Sequence, residues 1–169
     1  DEAVTRIARQ LLAPQQNACH LCGALLAAGE HTLCDGCQSA LLRCRLPPLT
    51  AVSLHAPMRL ALSAYDHALE ARALVHQLKF LHDRAAAFPL AHGMCGAYAE
   101  HAAIFPAPDA VVAVPVHASR LRTRGYNQAE LLARSFCAQT GFRLLPDALA
   151  RVRHDASQVR RTRAERLSA

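Results

Sequence analysis

Four cysteines in two Cys-x-x-Cys pairs stand near the start of this 169-residue chain. They are Cys19-His20-Leu21-Cys22 and Cys34-Asp35-Gly36-Cys37, with 11 residues between the pairs. Two such pairs can wrap one tetrahedral zinc ion, because a two-residue gap lets both sulfurs of a knuckle face one ion. Gly23 and Gly36 suit the tight backbone of such knuckles, where amides turn back toward the sulfurs. A redox dithiol needs one pair opening a helix in a βαβ setting, and structural disulfides need an oxidising compartment. The sequence signals neither. Cys19, Cys22, Cys34 and Cys37 are therefore read as ligands of one zinc, in a closed site whose role is structural. His20 and His31 lie close enough to replace a thiolate, but they are read as surface residues. Cys44, Cys95 and Cys137 have no partner at motif spacing, and the last two are read as small core residues.

A second group is "VVAVPVHASRLRTRGYNQAELLARSF", residues 111–136. An apolar run of β-branched character, 110–116, has the look of a buried parallel strand. A loop, 117–125, carries Arg120, Arg122 and Arg124 on alternate positions, and a helix is predicted over 126–140 with Gly141 at its C′ position. In open α/β sheets, ligands sit beyond the carboxyl ends of strands. Such a loop, followed by the free amides and positive dipole end of a helix, is a place for phosphate. Gly125 would let backbone approach a ligand, Arg124 would fork onto phosphate oxygens, and Asn127 would cap the helix or donate to the ligand. The bland reading stands beside it: a helix start capped by Asn127, with solvated arginines.

Several elements must position these groups. Residues 1–14 form an amphipathic helix on the spacing of Val4, Ile7, Ala8, Leu11 and Leu12, stopped at Pro14. The zinc ribbon spans 15–45, and a proline-rich linker spans 46–59. The remainder, 60–169, reads as one domain. It opens on a candidate strand at 60–66. Two helices follow within 68–104, the first on Leu74, Leu78 and Leu81, the second Ala-rich and interrupted near Pro89. Helices alternating with apolar runs predict an α/β fold with a mainly parallel sheet. The tail, 153–169, is polar and Arg-rich.

Net charge is +6, and hydrophobic residues make up 52% of the chain, enough for a buried core. Its aromatics are five Phe and three Tyr, so Ala, Leu and Val must build that core. From His117 onward there are 11 Arg and no Lys against 4 acidic residues, so the positive field belongs to the C-terminal third. Such a field suits a polyanion or a phosphorylated ligand, and equally a solvated face. No apolar run approaches the roughly 18 residues of a membrane span, so no membrane insertion is expected. The acidic, amphipathic start is unlike a signal peptide, and a cytoplasmic location is expected.

The string "VVAVPVHASRLRTRGYNQAELLAR" resembles the signature of the competence protein F (ComF) family of bacterial phosphoribosyltransferase-like proteins, with its gluconate-utilisation branch. "CHLC…LCDGC" resembles that family's zinc ribbon, "ALVHQLKF" (73–80) its Lys-Phe helix, and "RVRHDASQVRRTRAER" (151–166) its Arg/Gln segment. The resemblance implies a type I phosphoribosyltransferase-like fold, a Rossmann-like parallel sheet with an N-terminal zinc ribbon. It implies that the loop of Pro115, Val116 and His117 takes pyrophosphate, with Lys79, Arg124, Gly125, Asn127 and Gln128 as contacts. Gln158 and Arg166 would lie on a flexible covering segment. The ligand implied is phosphoribosyl pyrophosphate with Mg2+, and catalysis would rest on electrostatic stabilisation of the leaving group. The family's association with DNA uptake in natural transformation adds single-stranded DNA or DNA-uptake proteins as partners. The alternative is a zinc-ribbon module that binds single-stranded DNA or another protein without catalysis.

The chain departs from the family in two places. The strand ending in two acids and the Thr-Thr-Gly turn that hold the ribose phosphate have no counterpart, since no Asp-Asp pair occurs and the one Thr-Gly, Thr140-Gly141, ends a helix. The expectation is a C-terminally incomplete domain with a segment missing, inactive as a transferase by itself. The second pair of knuckles common in the family is also missing, with only Cys44 before "RLPPL", so one zinc is expected.

Overall fold

The computed structural model describes residues 17–46, 61–67 and 69–152. The expected helix of 1–14, nearly all of the linker, and the tail carrying Gln158 and Arg166 lie outside them. The described residues form α1 (Asp35–Arg43), α2 (Leu69–Phe80), a 3-10 turn (Arg84–Ala86), α3 (Ala87–Glu100), α4 (Ala118–Arg124) and α5 (Gln128–Thr140).

The helices arise where apolar residues keep helical spacing. In α2 the buried stripe is Ala71, Leu74 and Leu78, while Leu81 falls beyond the helix and is exposed. Pro89 does not interrupt α3. It sits in the first turn, where a proline's missing N–H costs no helical bond. Small residues let α3 pack closely. A methyl group on Gly93 would lie 1.6 Å from the Tyr65 hydroxyl oxygen, which itself donates to the Pro89 carbonyl at 3.2 Å. The principal helix pairing is α3 against α5. There Tyr98 meets the rings of Phe136 and Phe142 edge-on at 6.0 and 5.3 Å, a preferred aromatic geometry. Within α5, Ala133 and Cys137 are buried, while Leu131 and Leu132 pack partly buried against the core.

The expected parallel sheet is not formed: the described residues contain no strand. Three isolated bridges take its place, Ala18 with Leu25, Arg45 with Tyr65, and a parallel one between Val111 and Leu144. The α/β, Rossmann-like phosphoribosyltransferase fold is therefore corrected to a mainly helical one. The physical reason lies in two segments. The apolar run 110–116 buries Ala113 but leaves Val112 and Val114 exposed, Val114 at 69%. Its ladder is limited to the Val111 amide on the Arg143 carbonyl and the Leu145 amide on the Val111 carbonyl, at 2.8 and 3.0 Å. Of the candidate strand 60–66, the described residues 61–66 meet the end of α1 instead, through the Asp66 amide on the Cys44 carbonyl at 2.8 Å. The expected loop 117–125 is also corrected, since most of it is α4.

A continuous core links the cysteine-rich segment to the helices: Cys19, Leu33, Leu41, Cys44, Leu74, Leu78, Leu90 and Tyr126 belong to one buried cluster.

Candidate metal centre and adjoining basic surface

The first knuckle is a tight turn in which the Gly23 amide donates to the Cys19 carbonyl at 2.8 Å and the Cys19 amide to the Ala24 carbonyl at 2.7 Å. Gly23 has φ +74, a left-handed conformation that a side chain would strain. The second knuckle is the start of α1, with Cys34 at its N-cap and Cys37 in its first turn. Between them, the Glu30 carboxylate accepts from the amides of Ala27 and Asp35, both at 2.6 Å. Those two amides hold the Glu30 carboxyl below the usual carboxylate range.

These turns gather the four predicted ligands. The Sγ atoms of Cys19, Cys22, Cys34 and Cys37 all lie within 4.8 Å of one another, with Cys22 and Cys34 at 3.7 Å. A tetrahedral ion with bonds of about 2.3 Å to sulfur sets its ligands about 3.8 Å apart, so the set fits zinc. Burial pushes the Cys19 thiol up, but the amides of Cys22, Cys34 and Leu21 outweigh it and bring the thiol down to about 6. Cys37 is pushed up, by burial first and then by the neighbouring sulfurs. One knuckle thus favours a thiolate, and an arriving cation would displace the remaining thiol protons.

His20, read as a surface residue, faces inward to the helices. Its Nδ1 meets Asp83 Oδ2, and its carbonyl accepts from Gln77 Nε2, both at 2.5 Å. His31 is exposed.

Gln77 and Asp83 bracket the end of α2, where the basic surface begins. Lys79 is exposed in the last turn, and the neighbouring Phe80 is 55% exposed. Buried Tyr126 donates its hydroxyl to the Leu78 carbonyl at 2.6 Å, which draws the turn 124–126 onto this helix end. The Arg84 guanidinium lies 4.9 Å over the Tyr126 ring and that of Arg124 5.9 Å from the Phe80 ring, both within cation–π range. The His76 ring flanks Phe80 at 5.0 Å, and the His82 ring meets Tyr126 edge-on at 6.2 Å. Phe80, the residue after Lys79, and Arg124, far apart in sequence, are thus brought together.

The other predicted contacts are committed to building it. His117 caps α4 by accepting from the Ser119 amide at 3.2 Å, and Pro115 and Val116 lead into it half-buried. Gly125 closes α4 in the left-handed conformation at φ +77. Asn127 accepts from the Ala129 amide at 3.1 Å, capping α5, and donates to the Val114 carbonyl at 3.0 Å. Gln128 opens α5 half-buried, and Arg120 and Arg122 lie exposed on α4. Sequence reasoning missed Phe80, Arg84, His20 and the Tyr126 hydroxyl. Tyr126 and Phe80 stood inside the quoted strings, and Arg84 offered no local signal.

The chain is 29% identical over 156 residues to the DNA utilization protein YhgH of Salmonella typhi, an alignment covering 83% of this chain and 69% of that protein. No family model matches the chain. No solved structure matches it.

Proposed function

We propose that this protein acts in DNA utilisation, by binding single-stranded DNA on the surface formed by the end of α2 and the turn 124–126, beside a structural zinc held by Cys19, Cys22, Cys34 and Cys37. The observation that carries this is the pairing of cations with aromatic rings at one helix end: Arg124 beside the exposed Phe80, which follows exposed Lys79 in the last turn of α2, and Arg84 over Tyr126. Cationic groups neutralise the phosphates, and an exposed ring accepts a base by stacking in any sequence. The excess of arginine from His117 onward and the name of the Salmonella relative support the same reading. Bound zinc would contribute folding energy and no catalytic position, since thiolates fill all four sites.

The test is fluorescence anisotropy of a labelled oligo-dT with the zinc-loaded protein across a salt series. The logarithm of the binding constant should fall linearly with the logarithm of salt concentration, and Arg84→Ala or Arg124→Ala should each lower that slope by about one phosphate contact. Phe80→Ala should weaken binding by about 1–3 kcal/mol, the worth of one stacked base. A salt-independent signal, or none, would sink the reading.

A second reading is favoured by the placing of Lys79 between Leu78 and Phe80, both of which touch the turn 124–126. A small phosphorylated ligand such as phosphoribosyl pyrophosphate, with Mg2+, would find the same cations there. Titration calorimetry with phosphoribosyl pyrophosphate separates the two: heat from it, with no oligonucleotide binding, would favour the small ligand. Association with other DNA-uptake proteins belongs to the same proposal.

A further inference from the structure

The amide, the carbonyl and the ring Nδ1 of His20 are each committed to a contact. Its amide donates to the Thr32 carbonyl at 3.0 Å, within the cysteine-rich segment. Its carbonyl accepts from Gln77 of α2, and its ring holds Asp83. Asp83 in turn accepts from the Ala85 amide at 3.0 Å through its other oxygen, which starts the 3-10 turn carrying Arg84. Two features show that this arrangement is imposed. His82 has φ +57, a strained left-handed backbone that a non-glycine residue keeps only where its surroundings enforce it. Gln77 Oε1 is buried without a hydrogen-bond partner, so the amide of Gln77 stays on His20 despite an unsatisfied oxygen.

We infer that His20 is a positioning residue: it clamps the segment 81–84 onto the first cysteine knuckle and thereby sets Arg84 and Phe80 in the geometry that binds single-stranded DNA. The inference rests on the function proposed above for that surface. His20 lies between two of the cysteines, at one residue from Cys19 and two from Cys22, so a change in the knuckle reaches its ring and carbonyl directly. The chain of contacts Cys19–His20–Asp83–Arg84–Tyr126 then runs without a gap from the metal site to the turn 124–126. The clamp makes DNA binding conditional on an intact zinc site, although no cysteine contacts the nucleic acid.

The experiment compares full-length His20→Ala and His20→Asn with the wild type, each zinc-loaded and with metal content measured. The Asn side chain sets an N–H where the imidazole has Nδ1, so it keeps the donor to Asp83. In His20→Ala, with zinc retained, amide hydrogen exchange across 81–85 should accelerate and oligo-dT affinity should fall, each by about ten-fold. His20→Asn should restore both. If His20→Ala loses its metal, Asp83→Ala, which leaves every cysteine segment intact, should give the same two changes. Unchanged exchange, or faster exchange with unchanged affinity, overturns the inference alone. Failure of the zinc-loaded wild type to bind oligo-dT removes the proposed function and the inference together.

Discussion

Residues 17–46 and 110–128 hold their chemical groups in place by opposite means. The first region closes its cysteine turns within itself, although His20 also reaches Gln77 and Asp83. Its turns bond Cys19 with Ala24, Gly23 with Cys19 and Leu26 with Asn17, and a single carboxylate, Glu30, joins the middle of the segment to the start of α1. The second region borrows its support. Val111 leans on 143–145, Tyr126 on the Leu78 carbonyl, and Arg84 comes from another element to cover the Tyr126 ring. Val112 and Val114, the centre of its apolar run, face solvent. A self-closed loop needs only a cross-link to be stable, and four thiolates on one ion provide it. A segment that borrows support is stable only as far as its distant partners are.

That contrast orders the expected effects of perturbation. The largest is metal removal. Structural zinc sites bind with roughly 10 kcal/mol or more, which is folding free energy for a segment this short. Cys22→Ala, or a chelator, should abolish the cooperative melting of the chain in calorimetry, and an unchanged melting curve would show that the loop is held without its cross-link. Next is Gly93→Ala, at the seam where Tyr65 fixes 64–66 against 44–46. A Cβ 1.6 Å from the phenol oxygen cannot be accommodated in place, and overpacking of this kind costs about 1–3 kcal/mol in urea denaturation. A smaller loss, about 1 kcal/mol, is expected for Tyr126→Phe, which leaves the ring under Arg84 and removes only the bond to Leu78. The smallest effect is expected at the apolar run. Val114→Thr should shift stability by no more than about 0.5 kcal/mol, as at other exposed sites. A loss of 2 kcal/mol there would mean that the run is covered in solution, and the contrast between the regions would fail.

The same contrast explains what could be read from the sequence. Cysteines two residues apart are held close by covalent geometry, so the cluster of Cys19, Cys22, Cys34 and Cys37 was legible from spacing. Helix α2 was legible because Leu74 and Leu78 keep their period, and α5 because Asn127 and Gly141 punctuate it. The run 110–116 was misread. An apolar composition reports affinity for a core but cannot say whether a neighbouring strand exists to share its hydrogen bonds, and here the pairing stops after Val111. The short helix 118–124 was hidden for the opposite reason: it buries no residue, so no apolar period announces it. At the candidate surface, Arg124 and Gly125 were read from a basic loop ahead of a helix start, and Lys79 from resemblance to a family signature. The partners that arrange them, Asp83, Arg84 and the Tyr126 hydroxyl, come together only through tertiary packing. His117 was expected at a ligand and Asn127 at a ligand or as a helix cap, and in the structure both make capping bonds.

The chain contains three tyrosines and no tryptophan, and the tyrosines stand at three different joints. Tyr65 rests on α3 at Gly93, Tyr98 lies edge-on to Phe136 and Phe142, and Tyr126 joins α2 to the turn 124–126 beneath Arg84. The intrinsic ultraviolet emission of the protein is therefore a label-free record of those joints. Burial pushes the Tyr65 phenol up to about 12, so its absorbance change on alkaline titration comes late. Emission from Tyr126 is the signal placed to register a phosphate arriving at Arg84, through quenching or its relief, with no dye attached to either partner.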